Sequence, residues 1–337
     1  GMIATRLPSE TLSLFKEFMS DVIGSDAVDT LDGKTYRLTR EGINQFQNNG
    51  KGLDIECPIE EIEGADCIMV VGADPQETNP IVSTLVRRAV SQRKAKLIVV
   101  SDSRDVFPLW TDFWLKPKAG GEGTLLQGLA KVIVDKGLAV SERVDGLIEY
   151  SLDKVSLETG VDRGMLEATA EIYAKANCGI IIYGEGLLRS NYASSVAAAL
   201  KLAEISGNQN GDRLRVISLK SGANSRGAWE LGLAKGIKNH KPKMLYLLLA
   251  DEPESEELLR QLRGVGFLVV QTSYYSPVVY MADVVLPSLI WAERKGTYVS
   301  MDGHVHEFEQ IIKPRDGMLQ DSEILMEISK KLEKTLS

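Results

Sequence analysis

Short apolar runs alternate with amphipathic stretches along this chain, and that alternation restricts the fold more than any other feature. Cys67-Ile68-Met69-Val70-Val71 is one such run, ending at Gly72-Ala73-Asp74-Pro75. Pro80 to Gln92 follows, with Ile81, Leu85, Val86 and Ala89 at helical spacing. Leu97 to Val100 is the next strand, ending at Ser101-Asp102-Ser103-Arg104. Phe113-Trp114-Leu115 is a third, leading into Lys118-Ala119-Gly120-Gly121-Glu122. A helix from about Gly123 to Lys136 has Gly137 as its C-cap. Beyond a polar, helix-rich stretch come the strand Gly179 to Tyr183, the loop Gly184-Glu185-Gly186 and a helix from Tyr192 to Ser206. Met244 to Leu249, Phe267 to Val270 and Val284 to Leu286 complete the set of strands. Strands separated by helices pair in parallel, because a parallel connection needs a long crossover. The fold class is therefore α/β, with open, mainly parallel sheets.

Composition narrows the function classes. Hydrophobic residues make up 44% and charged residues 26%, with a formal charge of −8. That balance is ordinary for a globular chain and argues against a general nucleic-acid surface. Arg87-Arg88 and Arg93-Lys94 read as one solvated helix face. No run approaches the roughly 20 apolar residues that span a bilayer, and the start GMIATRLPSE has no apolar signal core. Gly1 ahead of Met2 reads as a tag-removal scar. Cys57, Cys67 and Cys178 form neither a C-x-x-C pair nor a zinc spacing, so they read as reduced thiols in a cytoplasmic protein.

The strand ends carry the chemistry. Val284-Val285-Leu286 suits a strand buried on both faces, and Pro287 ends it. A polar tract follows, with Glu293, Gly296-Thr297 and Asp302-Gly303. Open α/β sheets place ligands in such loops, outside the carboxyl ends of their strands. Gly72 and Asp74, Asp102 and Arg104, Glu122, and Gly184 and Gly186 stand at equivalent ends. Backbone N–H groups there can cradle phosphate, a carboxylate can accept from ribose or a guanine edge, and arginine can grip phosphate. Each residue taken alone reads first as a turn or helix cap. Gly184-Glu185-Gly186 is no dinucleotide fingerprint, since Arg189 stands at its third position.

Taken in order, these loops resemble those of the molybdopterin oxidoreductase family. Gly72-Ala73-Asp74-Pro75 with Pro80 looks like its G-x-N-P-x-x-x-x-P loop, and Asp102-Ser103-Arg104 like its D-P-R turn. Lys118 to Leu125 resembles R-P-G-T-D-A-A-L, with Gly120 retained and Glu122 in place of Asp. Ser206 to Gly211 is similar to T-G-N-x-G with one residue extra, and Asn224 to Ala228 to N-x-Q-G-A. The stretch Ala282-Asp283-Val284-Val285-Leu286-Pro287, then Glu293 and Gly296-Thr297, looks like A-D-V-V-L-P, E and G-T. The similarity extends over most of the chain, nearest to the large subunit of NADH:quinone oxidoreductase and the formate dehydrogenase alpha subunit. It implies two Rossmann-like domains, one inserted in the other. The N-terminal piece, Ile3 to Arg6 and a helix capped by Ser9 and running to Met19, then packs with residues after about 240. Lys235 to Lys243, with Pro242, is the best internal boundary. The domains so implied are 1–33 with 241–337, and 34–240.

By the same resemblance the cofactor is molybdopterin guanine dinucleotide. Its contacts fall on Gly72, Asp74, Pro75, Asp102, Arg104, Gly120, Glu122, Gly184, Gly186, Asn224, Asp283, Glu293, Gly296 and Thr297. The family's iron–sulfur cysteines and completing C-terminal domain have no counterpart here, which implies a middle fragment with no iron–sulfur cluster of its own. Ser300 and His304 replace family Asn and Arg, so part of the working set is gone. Cys57 and Asp54 lie where catalytic members ligate metal, but outside the family's C-H-x-P-S context, and they read as an ordinary loop. No catalytic residue is assigned. His304 and His306 share one strand face, but two histidines without a placed third ligand make no metal site, and none is assigned. His240 reads as solvated. The expected role is structural and docking, within the large subunit of an electron-transfer complex. The alternative is the molybdenum- or tungsten-binding core of a formate dehydrogenase-like enzyme. Expected partners are other redox subunits and the flanking domains, with no nucleic acid and no membrane span. Contact with a membrane would run only through partner subunits.

Overall fold

The computed structural model describes residues 1–47, 55–141, 151–237, 242–252, 255–334 and 336; Asp54 and His240 lie outside them. The chain divides into two compact units, Gly1–Arg37 with Lys220–Ser337, and Leu38–Leu219. The sequence places the crossings at 33/34 and 240/241, whereas contacts place them at 37/38 and 219/220. Trp229 shows why the second crossing moves: its ring stacks on Tyr36 at 4.8 Å between centroids, which ties the stretch after Lys220 to the first unit.

In the unit Leu38–Leu219, five parallel strands lie in the order Phe113–Leu115, Lys96–Val100, Cys67–Val71, Gly179–Tyr183, Val216–Ser218. Every residue of the two central strands Cys67–Val71 and Gly179–Tyr183 is buried. Both are continuous apolar runs, as strands inside a helix-covered parallel sheet must be. The chain steps outward from Cys67–Val71 to one edge, then returns to the opposite side with Gly179–Tyr183. The order therefore reverses between these two strands. Helix ends are set locally. Helix Glu122–Asp135 closes in a Schellman motif at Gly137, with Gly137 N donating to Val134 O (3.0 Å) and Leu138 N to Ile133 O (2.9 Å).

The other unit holds a second five-stranded parallel sheet, in the order Val284–Pro287, Leu268–Thr272, Leu245–Leu248, Met2–Ile3, Asp29–Thr30. Met2 and Ile3 pair with Leu247 and Leu248 on one side and with Asp29 and Thr30 on the other. Helix Ser9–Glu17 starts at Ser9 rather than being capped by it. Pro8 is its N-cap without a side-chain bond, and the helix runs into a π-helical turn over Phe18–Val22. Val284–Pro287 departs further from expectation. It is an edge strand, paired only with Leu268–Thr272, and Val284 and Val285 are 38% and 42% exposed. A short apolar run has the same appearance in the middle of a sheet and at its rim, and here no further strand covers it among the described residues.

One buried ion pair closes this unit. Arg294 Nε donates to Asp321 Oδ2 at 2.8 Å, with both side chains 2% exposed. Asp321 Oδ1 accepts from Gln271 Nε2 (2.8 Å), and Gln271 Oε1 accepts from the Tyr246 hydroxyl (2.7 Å). The helix Asp321–Lys331 is thereby pinned to the strands Leu268–Thr272 and Leu245–Leu248. Removing one charge strands the other without water. Asp321→Ala should cost about 3–5 kcal/mol, while Arg294→Met with Asp321→Leu should recover much of that loss. Urea unfolding of the full chain checks this, and a single variant as stable as the parent would contradict it.

Candidate functional site

The loops at the carboxyl edge of the first-described sheet meet where its strand order reverses. The close approach that glycine permits is used there between loops. Gly72, at φ +53°, lies beneath Gly186, whose N–H donates to Gly72 O at 2.8 Å. A Cβ on Gly186 would stand 2.5 Å from Gly72 O, and one on Gly184 would stand 2.9 Å from Ala73 Cβ. Asp74 is the N-cap of the short helix Pro75–Thr78, accepting from Gln76 N at 2.9 Å, with Pro75 buried at the first helical position. Gly72, Gly184, Gly186, Asp74 and Pro75 thus all have local tasks at the switch point.

A second cluster lies one loop further out. Glu122 opens helix Glu122–Asp135, is 8% exposed, and its Oε2 finds no hydrogen-bond partner. Burial raises its carboxyl above the usual glutamate range; its own backbone N–H opposes this, Asp102 adds to it and Arg189 offsets it. Arg189 pairs with Asp102 at 2.5 Å, both side chains exposed, while a Cβ on Gly120 would lie 3.5 Å from Arg189 O. Arg104 turns the other way, its guanidinium 5.1 Å from the Trp114 ring centre. It lines a hollow of about 90 Å³ with Val106, Pro108, Thr111, Asp112 and Trp114, far too small for a dinucleotide. The structure therefore brings Asp102, Gly120 and Glu122 together and leaves Arg104 apart. Arg189 is the residue that sequence reasoning missed. Its signal is a lone arginine in the loop after Gly179–Tyr183.

In the unit Gly1–Arg37 with Lys220–Ser337, the expected residues are spent on the fold. Asn224 is fully buried: its Nδ2 donates to Leu7 O (2.9 Å) and Ser9 Oγ (3.1 Å), and its Oδ1 accepts from Val299 N (2.9 Å). Thr297 gives its N–H and hydroxyl to the two oxygens of Glu10, at 3.0 and 2.9 Å. Gly296 at φ +143° allows this, since a Cβ there would lie 2.5 Å from Glu10 Oε2. Glu293 accepts from Ile290 N at 3.0 Å. Asp283 precedes its strand, accepting from Leu268 N at 2.7 Å, so it sits at the amino edge of the sheet, opposite the ligand edge. The switch point here, between Leu245–Leu248 and Met2–Ile3, is filled as well. Asp32 accepts there from Thr5 (3.2 Å), Thr30 (2.7 Å) and Trp229 Nε1 (3.4 Å). Cys57 in the other unit is buried, and burial followed by Glu61 and Glu56 pushes its thiol up, which disfavours the thiolate a metal needs.

Comparison with known proteins fits this architecture. Residues 1–331 match the family profile described as molybdopterin oxidoreductase. The F420-dependent formate dehydrogenase subunit alpha of Methanocaldococcus jannaschii is 25% identical over 381 residues, covering 98% of this chain and 56% of the relative. A subunit of NADH-quinone oxidoreductase from Rhizobium meliloti is 22% identical, covering 93% of this chain and 41% of the relative. The chain thus spans about half the length of the curated relatives it matches. Among solved structures, acetylene hydratase from Pelobacter acetylenicus superposes with TM-score 0.72 at 18% identity, covering 99% of this chain and 55% of that one. A chain of the formyltransferase/hydrolase complex from Methylorubrum extorquens has TM-score 0.64 at 13% identity, with 98% of this chain and 91% of that chain covered. At these identities both show the fold alone. No helix among the described residues is long and apolar enough to cross a membrane.

Glu122 gives a pH test. Its folded-state carboxyl holds a proton more tightly than in the unfolded chain, so its contribution to stability is greatest in acid and is lost as pH rises through the raised value. Glu122→Gln should melt higher than the parent at neutral pH, and the difference should vanish below the ordinary glutamate range. Melting curves across that range check this, and a pH-independent difference would contradict it.

Proposed function

This chain belongs to the molybdopterin oxidoreductase family, and from that premise we propose that it is a structural and docking portion of the large subunit of a redox complex. The unit Leu38–Leu219 is an inserted domain within the other unit. The piece corresponds to the middle of a large subunit of the NADH:quinone oxidoreductase type or of a formate dehydrogenase alpha-type subunit. The observation that carries this reading is that Asn224, Glu293, Gly296 and Thr297 are all engaged by contacts inside their own unit. Such groups stiffen the scaffold, and for Asn224 and Thr297 a bond to a ligand would first break one to the fold. Curated relatives are named as subunits, which supports a role as one piece of a larger assembly.

One observation favours a second reading, the binding of a molybdopterin guanine dinucleotide. Glu122 presents a buried, unpartnered carboxylate oxygen at a helix start, beside the Asp102–Arg189 pair. That set fits the nucleotide end of the cofactor. Glu122 would accept from a base edge, Arg189 would neutralise phosphate on release from Asp102, and Gly120 would leave room for backbone approach. When bound, the cofactor supplies two-electron chemistry at molybdenum or tungsten. The residues of the other unit do not fit a second such group.

The two readings separate on the full-length protein. Metal analysis with pterin and nucleotide content should show substoichiometric molybdenum and tungsten, and stoichiometric metal with guanine dinucleotide would replace the docking reading by the second one. On the present chain, saturating guanine nucleotide should leave the melting temperature unchanged. A rise that Glu122→Gln abolishes would establish the nucleotide site at that corner.

A further inference from the structure

The hairpin at residues 296–308 holds an arrangement that the redox reading does not use. Strands Gly296–Val299 and Val305–Phe308 pair antiparallel, with Tyr298 opposite His306 and Val299 opposite Val305. Side chains two apart on a strand share a face, so His304 and His306 project together, and both are exposed. Their ring centroids lie 6.5 Å apart. The turn between the strands then supplies a third ligand. Asp302 Oδ1 stands 3.3 Å from His304 Nδ1, and the Asp302 side chain is only 3% exposed. A separation of about 3.3 Å is what two donors at 2.0–2.1 Å from one tetrahedral ion would show.

Three further details prepare the carboxylate. The Ser300 hydroxyl donates to Asp302 Oδ1, so the carboxylate is oriented by a neighbour, as outer-shell partners orient metal ligands. Asp302 Oδ2 is buried with no hydrogen-bond partner, a cost that bonding to a cation would offset. The turn is held by Gly303 at φ +94°, with Gly303 N donating to Ser300 O and Ser300 N to His304 O. Arg226 packs against Gly303, and its charge is paired with Glu230 at 2.7 Å.

We infer that Asp302, His304 and His306 form a site for a divalent first-row transition ion of the zinc class. His304 and Asp302 are already spaced to share the ion, and the exposed His306 ring closes on it by turning about its own side-chain bonds. Two imidazoles and one carboxylate suit zinc, cobalt or nickel rather than magnesium or calcium, and leave a fourth position open to solvent. The site lies on a surface hairpin and uses none of the residues of the Glu122 corner, so it stands or falls independently of the nucleotide reading.

The test is titration of the metal-free full chain with zinc by calorimetry, and with cobalt by its visible absorption, at neutral pH. One equivalent should bind. His304→Ala and His306→Ala should each weaken binding about tenfold or more, and Asp302→Asn should do the same with the circular dichroism spectrum of the metal-free protein unchanged. His240→Ala, which removes the remaining histidine of the sequence, should leave binding intact. Absence of stoichiometric binding would overturn the inference, and so would binding that survives both hairpin histidine variants or depends on His240.

Discussion

The unit built from both ends of the chain depends on one short parallel pairing. Met2 and Ile3 form a strand of two residues, yet it lies between Leu245–Leu248 and Asp29–Thr30 inside a five-stranded sheet. Ala4 N donates to Leu248 O, and Leu31 N to Ile3 O, extending the ladder beyond the strand itself. Without this strand the sheet comes apart on either side of it, and each part gains an exposed edge. The pairing closes a loop that contains the whole of Leu38–Leu219. Loop-closure entropy grows only with the logarithm of length, roughly 0.6 kcal/mol per doubling, so a large insertion is thermodynamically mild once the inserted segment has its own core. Asn224 reinforces the closure by binding Leu7, Ser9 and Val299 at once.

That arrangement has consequences for chemistry. A sheet assembled from distant segments needs polar clamps to fix its loops, and the residues best suited to clamp are those best suited to hold a ligand. In the unit with both chain ends the clamping use prevails: Thr297 holds Glu10, Asp32 gathers Thr5, Thr30 and Trp229, and Arg294 is consumed by Asp321. The unit Leu38–Leu219 is continuous in sequence and has clamps of its own, Asp66 accepting from Asn177 N and Cys178 N and Asn208 from Gly179 N. It keeps an unpartnered Glu122 oxygen beside an exposed ion pair. The family frame is shared by both sheets, but of the residues matched to the family's cofactor contacts only Glu122 keeps a buried oxygen without a partner.

Much of this was legible beforehand. Strand ends at Gly72, Asp102 and Gly184 were readable because buried parallel strands are continuous apolar runs that stop abruptly at turn residues. Helix Glu122–Asp135 and its stop at Gly137 followed from spacing and from the left-handed backbone that glycine accepts. The exposure of Val284 and Val285 was not legible, because edge and centre positions differ only in what lies beside them. Nor was the burial of Arg294 next to an exposed Lys295, since adjacent cations look alike until a partner as distant as Asp321 is placed. Arg189 was visible only as the residue that spoils a glycine fingerprint, and its tie to Asp102 required two loops to meet.

The sequence by itself determined the local matters: which segments are strands or helices, where most of them stop, and that parallel sheets must result. Periodicity, glycine and proline act within a few residues, so no distant information is needed. The ordered series of loops also carried the family. Only the tertiary structure decided which polar side chains are free. Whether Asn224, Glu122 or Asp302 keeps an unused oxygen depends on donors brought from elsewhere in the fold, and a donor's position in space is not written at the position in the chain it serves.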